Sequence, residues 1–202
     1  MSQATLHTPV NKAQTALLVV DPQKAFGAAV PVPHVTKALE KMRLALSAWR
    51  KLSGLTILTK HTFNSYAEVG RVADFLGKDI FEALKTGSPL AEFHPDINDP
   101  TDLVIAKTRF NALIGTNLEL VLREQNITTV VVAGLTTPIC VQATVDGLSM
   151  AGFKVVLLED ACASQAMGAI SAEAAHQAAV ERMRYLFAEV CFTDSFLTHI
   201  QQ

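Results

Sequence analysis

Thr129-Val-Val-Val-Ala-Gly-Leu-Thr-Thr-Pro-Ile-Cys140 decides how the rest of the chain is read. Its first five residues are an unbroken apolar run, the pattern of a strand buried on both faces, and Gly134 ends it. Leu135 to Ile139 then packs two hydroxyls and a proline into a tight turn that feeds a helix expected from about Cys140 to Ala151. Strand, glycine turn and helix in that order make half of a βαβ unit, whose strands run parallel.

The same alternation continues in both directions. Toward the amino end, Thr15 to Val20 is a second fully apolar strand, stopped by Asp21-Pro22. Val35 to Lys51 carries Leu39, Met42, Leu46 and Trp49 at helical spacing, with Gly54 as its stop signal. Strands are expected at Leu55 to Thr59 and at Asp102 to Ala106, the latter ending at Lys107, and a helix from about Thr116 to Gln125. Toward the carboxyl end follow a strand at Lys154 to Leu158, a helix at Ser171 to Phe187 with Ser171 and Glu173 suited to its first turn, and a short strand at Glu189 to Phe192. From His61 to Pro100 glycines and prolines break the pattern, leaving a helical turn near Asp79 to Leu84. Loops of that length are usually functional. The expectation is an α/β fold, a doubly wound, Rossmann-like parallel sheet with helices on both faces, in a single domain over residues 1–202.

Half of the 202 residues are hydrophobic and the mean hydropathy is +0.27, so the chain must hide much apolar surface in a core or a subunit interface. With 17 basic against 19 acidic residues and no block of like charge, there is no footprint for a phosphate backbone or an anionic membrane. No apolar run approaches the ~20 residues that cross a bilayer, and Met1 to Gln14 lacks the layout of a signal peptide, so a cytoplasmic location is expected. Three cysteines, Cys140, Cys162 and Cys191, fit neither a disulfide framework nor a zinc spacing.

In open parallel sheets the ligand site lies beyond the carboxyl ends of the strands. Asp21 follows the first strand, Lys107 the third, and Cys140 lies six residues past the fourth, so the fold gathers all three at one edge. Taken singly each has an ordinary reading: Asp21 as a turn residue, Lys107 as a surface charge, Cys140 as a small buried hydrophobe. The turn before Cys140 changes that, since a helix N-terminus and the ammonium of Lys107 would favour a thiolate. Asp21 beside the thiol would take its proton and pass it to a leaving amine, as nucleophilic cleavage of an amide requires.

These residues resemble the isochorismatase-like cysteine hydrolase superfamily, which includes nicotinamidases, N-carbamoylsarcosine amidases, ureidoacrylate amidohydrolases and biuret hydrolases. The similarity spans roughly Ala16 to Ala163. Its pieces are Leu17-Leu-Val-Val-Asp-Pro-Gln23, Lys107-Thr-Arg-Phe-Asn-Ala112 with Gly115-Thr-Asn-Leu118, Val131 to Val141, and Asp160-Ala-Cys-Ala163. The resemblance implies strand order 3-2-1-4-5-6, a homo-oligomer (dimer or tetramer), no cofactor, and a triad of Asp21 as base and acid, Lys107 as electrostatic partner and Cys140 as thioester-forming nucleophile. It also implies a non-proline cis peptide at Leu135-Thr136, with the Thr136 and Cys140 N–H groups as an oxyanion hole.

The pattern departs from the family at three places. Where nicotinamidases carry an Asp-x-His metal pair, this chain has His61 and Phe63, so no metal site is expected, and His61 and His94 read as loop or pocket-lining residues. Pro138 replaces a polar residue and Leu113 an aromatic one. Family members that cleave the isochorismate vinyl ether lack the cysteine, so Cys140 points to a small amide or ureido substrate. Arg109 is a candidate for a substrate carboxylate, and Phe26, Phe63 and Phe110 for the pocket wall. Asp160 reads as an N-cap or turn residue, and Cys162 and Cys191 as structural. The alternatives are an esterase using the same nucleophile, a non-catalytic oligomeric or ligand-binding member of the fold, and a thiol-redox protein, the last weakened by the lack of a second cysteine near Cys140 in sequence.

Overall fold

The computed structural model describes residues 6–75 and 77–200. Strands β1 (Thr15–Val20), β2 (Leu55–His61), β3 (Leu103–Lys107), β4 (Thr129–Leu135), β5 (Lys154–Ala163) and β6 (Glu189–Cys191) form a six-stranded sheet in the order β3-β2-β1-β4-β5-β6. Every neighbouring pair is parallel. The chain winds outward from β1 to β3, returns to the centre at β4, and winds the other way to β6. The winding reverses between β1 and β4, the place beyond whose strand ends open sheets of this kind bind their ligands.

The apolar runs do what their composition requires. Ala16, Leu18 and Val20 of β1 join the core on one face of the sheet, and Leu17 and Val19 the core on the other. Helices α2 (Val35–Lys51) and α7 (Thr193–His199) cover the second face through Leu39, Met42, Leu46 and Phe196. Helices α4 (Leu118–Glu124), α5 (Gln142–Met150) and α6 (Ala172–Leu186) cover the first through Leu122, Val145, Leu148, Val180 and Met183. Ser171 caps α6, its hydroxyl accepting from the Ala174 N–H at 3.2 Å.

Between β2 and β3 lie a 3-10 segment (Tyr66–Asp74) and α3 (Lys78–Leu84), while the short α1 (Ala25–Ala28) follows β1. Phe63, Val69, Phe81, Ala83 and Leu84 give the β2–β3 segment a small core of its own, shared with Ala25. The sequence pattern announces only α3, because the other helical piece is 3-10 backbone interrupted at Gly70.

Three boundaries differ from the sequence reading in ways that matter for the site. β2 runs on to His61, pairing it with Lys107 of β3. β5 continues to Ala163, beyond the apolar run, through an irregularity in its pairing with β4 between Val132 and Gly134. Cys140 does not open a regular helix: Thr137–Val141 is a π-helical turn, and α5 starts at Gln142. Gly134 pairs with Val20 at the end of the β1–β4 ladder with φ +135°, and a Cβ there would lie 2.2 Å from the Val20 carbonyl oxygen. Only glycine lets β4 pass this close to the residue before Asp21.

Candidate active site

Asp21, Lys107, Cys140 and His61 meet at the carboxyl edge of the sheet, and all are withdrawn from water, with exposures of 0, 2, 3 and 4%. The ends of β1, β3 and β2 supply Asp21, Lys107 and His61, and the π-helical turn after β4 supplies Cys140. Asp21 takes a left-handed backbone conformation with φ 48°. Aspartate tolerates it better than most residues, and here it turns the chain at the strand end.

The Lys107 ammonium lies 2.7 Å from Asp21 Oδ2. It also donates to the carbonyls of Arg109 (3.0 Å) and Phe110 (3.2 Å). Two of its three N–H donors are thus met by backbone carbonyls, while the contact with Asp21 is an ion pair in which Oδ2 has no aligned hydrogen bond among the described residues. Thr59 Oγ1 donates to Asp21 Oδ1 at 2.6 Å and accepts the Asp21 N–H at 3.0 Å, fixing the carboxylate from the neighbouring strand. Burial alone would depress the lysine, but Asp21 and Cys140 beside it hold its pKa above the ordinary lysine value. A buried pair of this kind resists loss of either member: removing one leaves an uncompensated charge, at about 3–5 kcal/mol.

The Cys140 thiol behaves differently from the sequence expectation. Burial pushes it up to about 12, Lys107 pulls it down by less, and the Asp21 carboxylate adds to the rise. A helix N-terminus lowers a thiol pKa where the thiolate remains partly solvated. Here desolvation outweighs it, so the resting group is a thiol whose proton must leave during reaction.

Cys140 Sγ lies 3.8 Å from His61 Nδ1. Burial first, and Lys107 second, lower the His61 pKa to about 4, so the ring is neutral near pH 7. The Gln23 side-chain amide clamps the backbone at this point, accepting the His61 N–H at 2.8 Å and donating to the His61 and Ala91 carbonyls at 2.9 and 2.8 Å. The sequence reading missed Thr59 and Gln23 as site residues. Thr59 falls beside Asp21 only once β2 is paired with β1 in register, which the pattern of either segment alone does not give.

Asp21, His61 and Cys140 each offer a ligand atom, all within 4.8 Å of one another, a mixed donor set that a soft dication accepts. The ammonium on Asp21 Oδ2 and the Thr59 hydroxyl on Oδ1 already engage the carboxylate, and a dication would add charge beside Lys107. The charge balance favours a proton at this centre.

The candidate pocket residues separate. Phe110 lies edge-on to His61, with ring centroids 5.9 Å apart, and lines an apolar groove of about 520 Å³ with Arg71, Val72, Phe75 and Ile139. Phe63 packs against His61 at 5.0 Å but is buried in the satellite core beneath it. Phe26, expected on the pocket wall, belongs to the core on the other face of the sheet from Cys140. Arg109, expected to await a carboxylate, has Nη1 engaged with the carbonyls of Glu68 and Thr108, both at 2.8 Å, which pins the 3-10 segment to the end of β3. His94 lies away from this cluster, its Nε2 3.1 Å from the Phe26 carbonyl oxygen. The Leu135-Thr136 peptide bond is cis. Asp160 accepts the Thr193 N–H and hydroxyl at the first turn of α7, and Cys162 and Cys191 are buried. Among the described residues no helix is long and apolar enough to cross a membrane.

The family model for the isochorismatase domain matches residues 15–195. The uncharacterized isochorismatase family protein YrdC of Bacillus subtilis (strain 168) is 33% identical over 153 residues, covering 75% of each chain. The ureidoacrylate amidohydrolase RutB of Cronobacter sakazakii (strain ATCC BAA-894) is 30% identical over 180 residues, covering 73% of this chain and 74% of its own. Among solved structures, a cysteine hydrolase from Pseudomonas syringae pv. phaseolicola 1448A superposes with a TM-score of 0.90 at 26% identity, covering 100% of this chain and 99% of its own.

Proposed function

This chain belongs to the isochorismatase family of hydrolases, and from that premise we propose that it cleaves a C–N bond of a small amide or ureido substrate through a thioester on Cys140. The observation that carries this reading is the convergence of a buried thiol, a buried carboxylate and a buried ammonium where β1, β3 and β4 end.

The residues divide the work by their charge and position. As Sγ attacks the substrate carbonyl, the thiol proton passes to the Asp21 carboxylate. The carbonyl oxygen gains the negative charge, and the backbone N–H groups of Thr136 and Cys140 are the donors assigned to it. When the tetrahedral intermediate collapses, the C–N bond breaks and Asp21 returns the proton to the leaving nitrogen. The acyl group stays on sulfur as a thioester. Water then adds with Asp21 as base, releasing the acid and restoring the thiol. Lys107 and Thr59 hold Asp21 in place, and the ammonium balances the charge on the site in its resting state. The likeness to a ureidoacrylate amidohydrolase supports a C–N bond over an ester.

The test is ammonia release from a panel of carboxamides and ureido compounds, with simple esters alongside and Cys140→Ala as control. Ammonia from the unsubstituted protein and none from the variant is the expected result. Cleavage of esters alone would replace the reading by an esterase. Inertness across the whole panel would favour a non-catalytic member of the fold.

A further inference from the structure

Among the groups gathered at Cys140, His61 has no part in the proton path from sulfur to Asp21. Its ring is nonetheless held firmly. The Gln23 clamp fixes its backbone, the β2–β3 pairing sets it opposite Lys107, and Phe63 and Phe110 pack on the imidazole at 5.0 and 5.9 Å. Nδ1 stands 3.8 Å from the sulfur, and buried Nε2 makes no hydrogen bond of good geometry among the described residues, although the Thr108 carbonyl lies close enough to the ring to favour its proton. A histidine serving the core alone would have its ring nitrogens satisfied by the fold. Here the contact made by the ring is with the reactive atom.

We propose that His61 is a further catalytic residue of this site: a neutral imidazole that donates a hydrogen bond from Nδ1 to the Cys140 sulfur and steadies the negative charge it gathers during attack. The inference rests on the reading of Cys140 as nucleophile. The tautomer fits the proton balance. Sulfur gives its proton to Asp21, and a proton on Nδ1 lets the ring join the Lys107 ammonium as a donor to the charged sulfur while His61 keeps that single ring proton throughout. Burial and the charge of Lys107 disfavour an imidazolium, which keeps His61 from competing with Asp21 for the proton. Because the sulfur is desolvated, a hydrogen bond to its charge is worth more here than in bulk solvent.

The experiment is the rate of Cys140 alkylation by iodoacetamide between pH 6 and 11 in the full chain, His61→Leu and His61→Asn, with the adduct located by peptide mass spectrometry. Leucine keeps the site dry without a donor, and asparagine can place an amide N–H near the position of Nδ1. Expected is a fall of about tenfold in rate at pH 8 for His61→Leu, with His61→Asn within about threefold of the unsubstituted protein. Equal rates in all three proteins, or equal slowing in both variants, would overturn the proposal. Should His61→Leu fail to fold, the unsubstituted chain labelled with ¹⁵N-histidine decides. Alkylating Cys140 must then shift the His61 Nδ1 resonance, and an unmoved resonance overturns the proposal. Alkylation needs no substrate, so a protein inert on every amide would defeat the proposed function without deciding this result.

Discussion

Strand β3 has an ion pair at each end, and the two are built for different purposes. Just before it begins, Asp102 accepts Nε and Nη2 of Arg50 as a two-pronged clasp and also takes the Asp99 N–H at 2.7 Å, while Arg50 reaches the Ile97 carbonyl. At its carboxyl end Lys107 meets Asp21 through one ammonium, with both side chains fully buried. The guanidinium is a permanent charge in a fixed fork, suited to closing a loop. The ammonium is a compact charge that leaves Asp21 close to a thiol. A buried carboxylate in an ion pair is common to both ends, so burial of charge alone does not mark a catalytic site. The mark is a nucleophile beside the pair.

That contrast is broken most directly by removing the cation at each end. Lys107→Met is expected to lower kcat by about 10³-fold, on the scale of losing a key electrostatic group, and to cost about 3–5 kcal/mol in stability. Arg50→Met is expected to cost roughly 2–4 kcal/mol, because Asp102 is left buried, while kcat stays within about twofold. Denaturant unfolding and turnover measured on the same preparations check both. A kcat loss at Arg50 matching that at Lys107 would erase the difference between the two ends.

A second, smaller effect separates the ends by pH. Unfolded, His61 takes up a proton below about 6.5, whereas folded it does so only near 4. The unfolded state therefore binds more protons in that window, and stability falls as pH drops from about 6.5 to 4, by roughly 3 kcal/mol from this residue. His94 and His176 are lowered in the same direction, so the measurement is a difference. His61→Leu should lose less stability than the unsubstituted protein between pH 7 and 4. Parallel curves for the unsubstituted protein and His61→Leu would contradict the assignment.

The smallest effect is expected at Arg109. Arg109→Leu removes the two bonds that pin the 3-10 segment, costing about 1–2 kcal/mol, and should change KM by less than about threefold for charged and neutral substrates alike. A large rise in KM confined to carboxylate-bearing substrates would restore Arg109 as a substrate-binding group.

These contrasts follow what was readable in the sequence. Thr15 to Val20 and Thr129 to Leu135 are so uniformly apolar that only central strands buried on both faces fit them, and the rule for strand ends then points to Asp21, Lys107 and Cys140. What composition along the chain does not carry is register between distant strands. The pairing of His61 with Lys107 and the placement of Thr59 beside Asp21 exist only once β1, β2 and β3 are aligned. The thiol was misjudged for a similar reason: the turn before Cys140 is visible in sequence, but the dryness that outweighs it comes from the whole fold. Arg109 looked available because its acceptors belong to the backbone, which sequence does not display.

The central claim is that Cys140 becomes covalently acylated during turnover. Its most direct test is intact-protein mass spectrometry on acid-quenched samples taken while the protein hydrolyses the fastest amide of the panel. The account predicts a mass increase equal to the acyl group, mapped to the peptide containing Cys140, and no adduct and no turnover in Cys140→Ala. Undiminished turnover by Cys140→Ala, with no adduct on the unsubstituted protein, would contradict it.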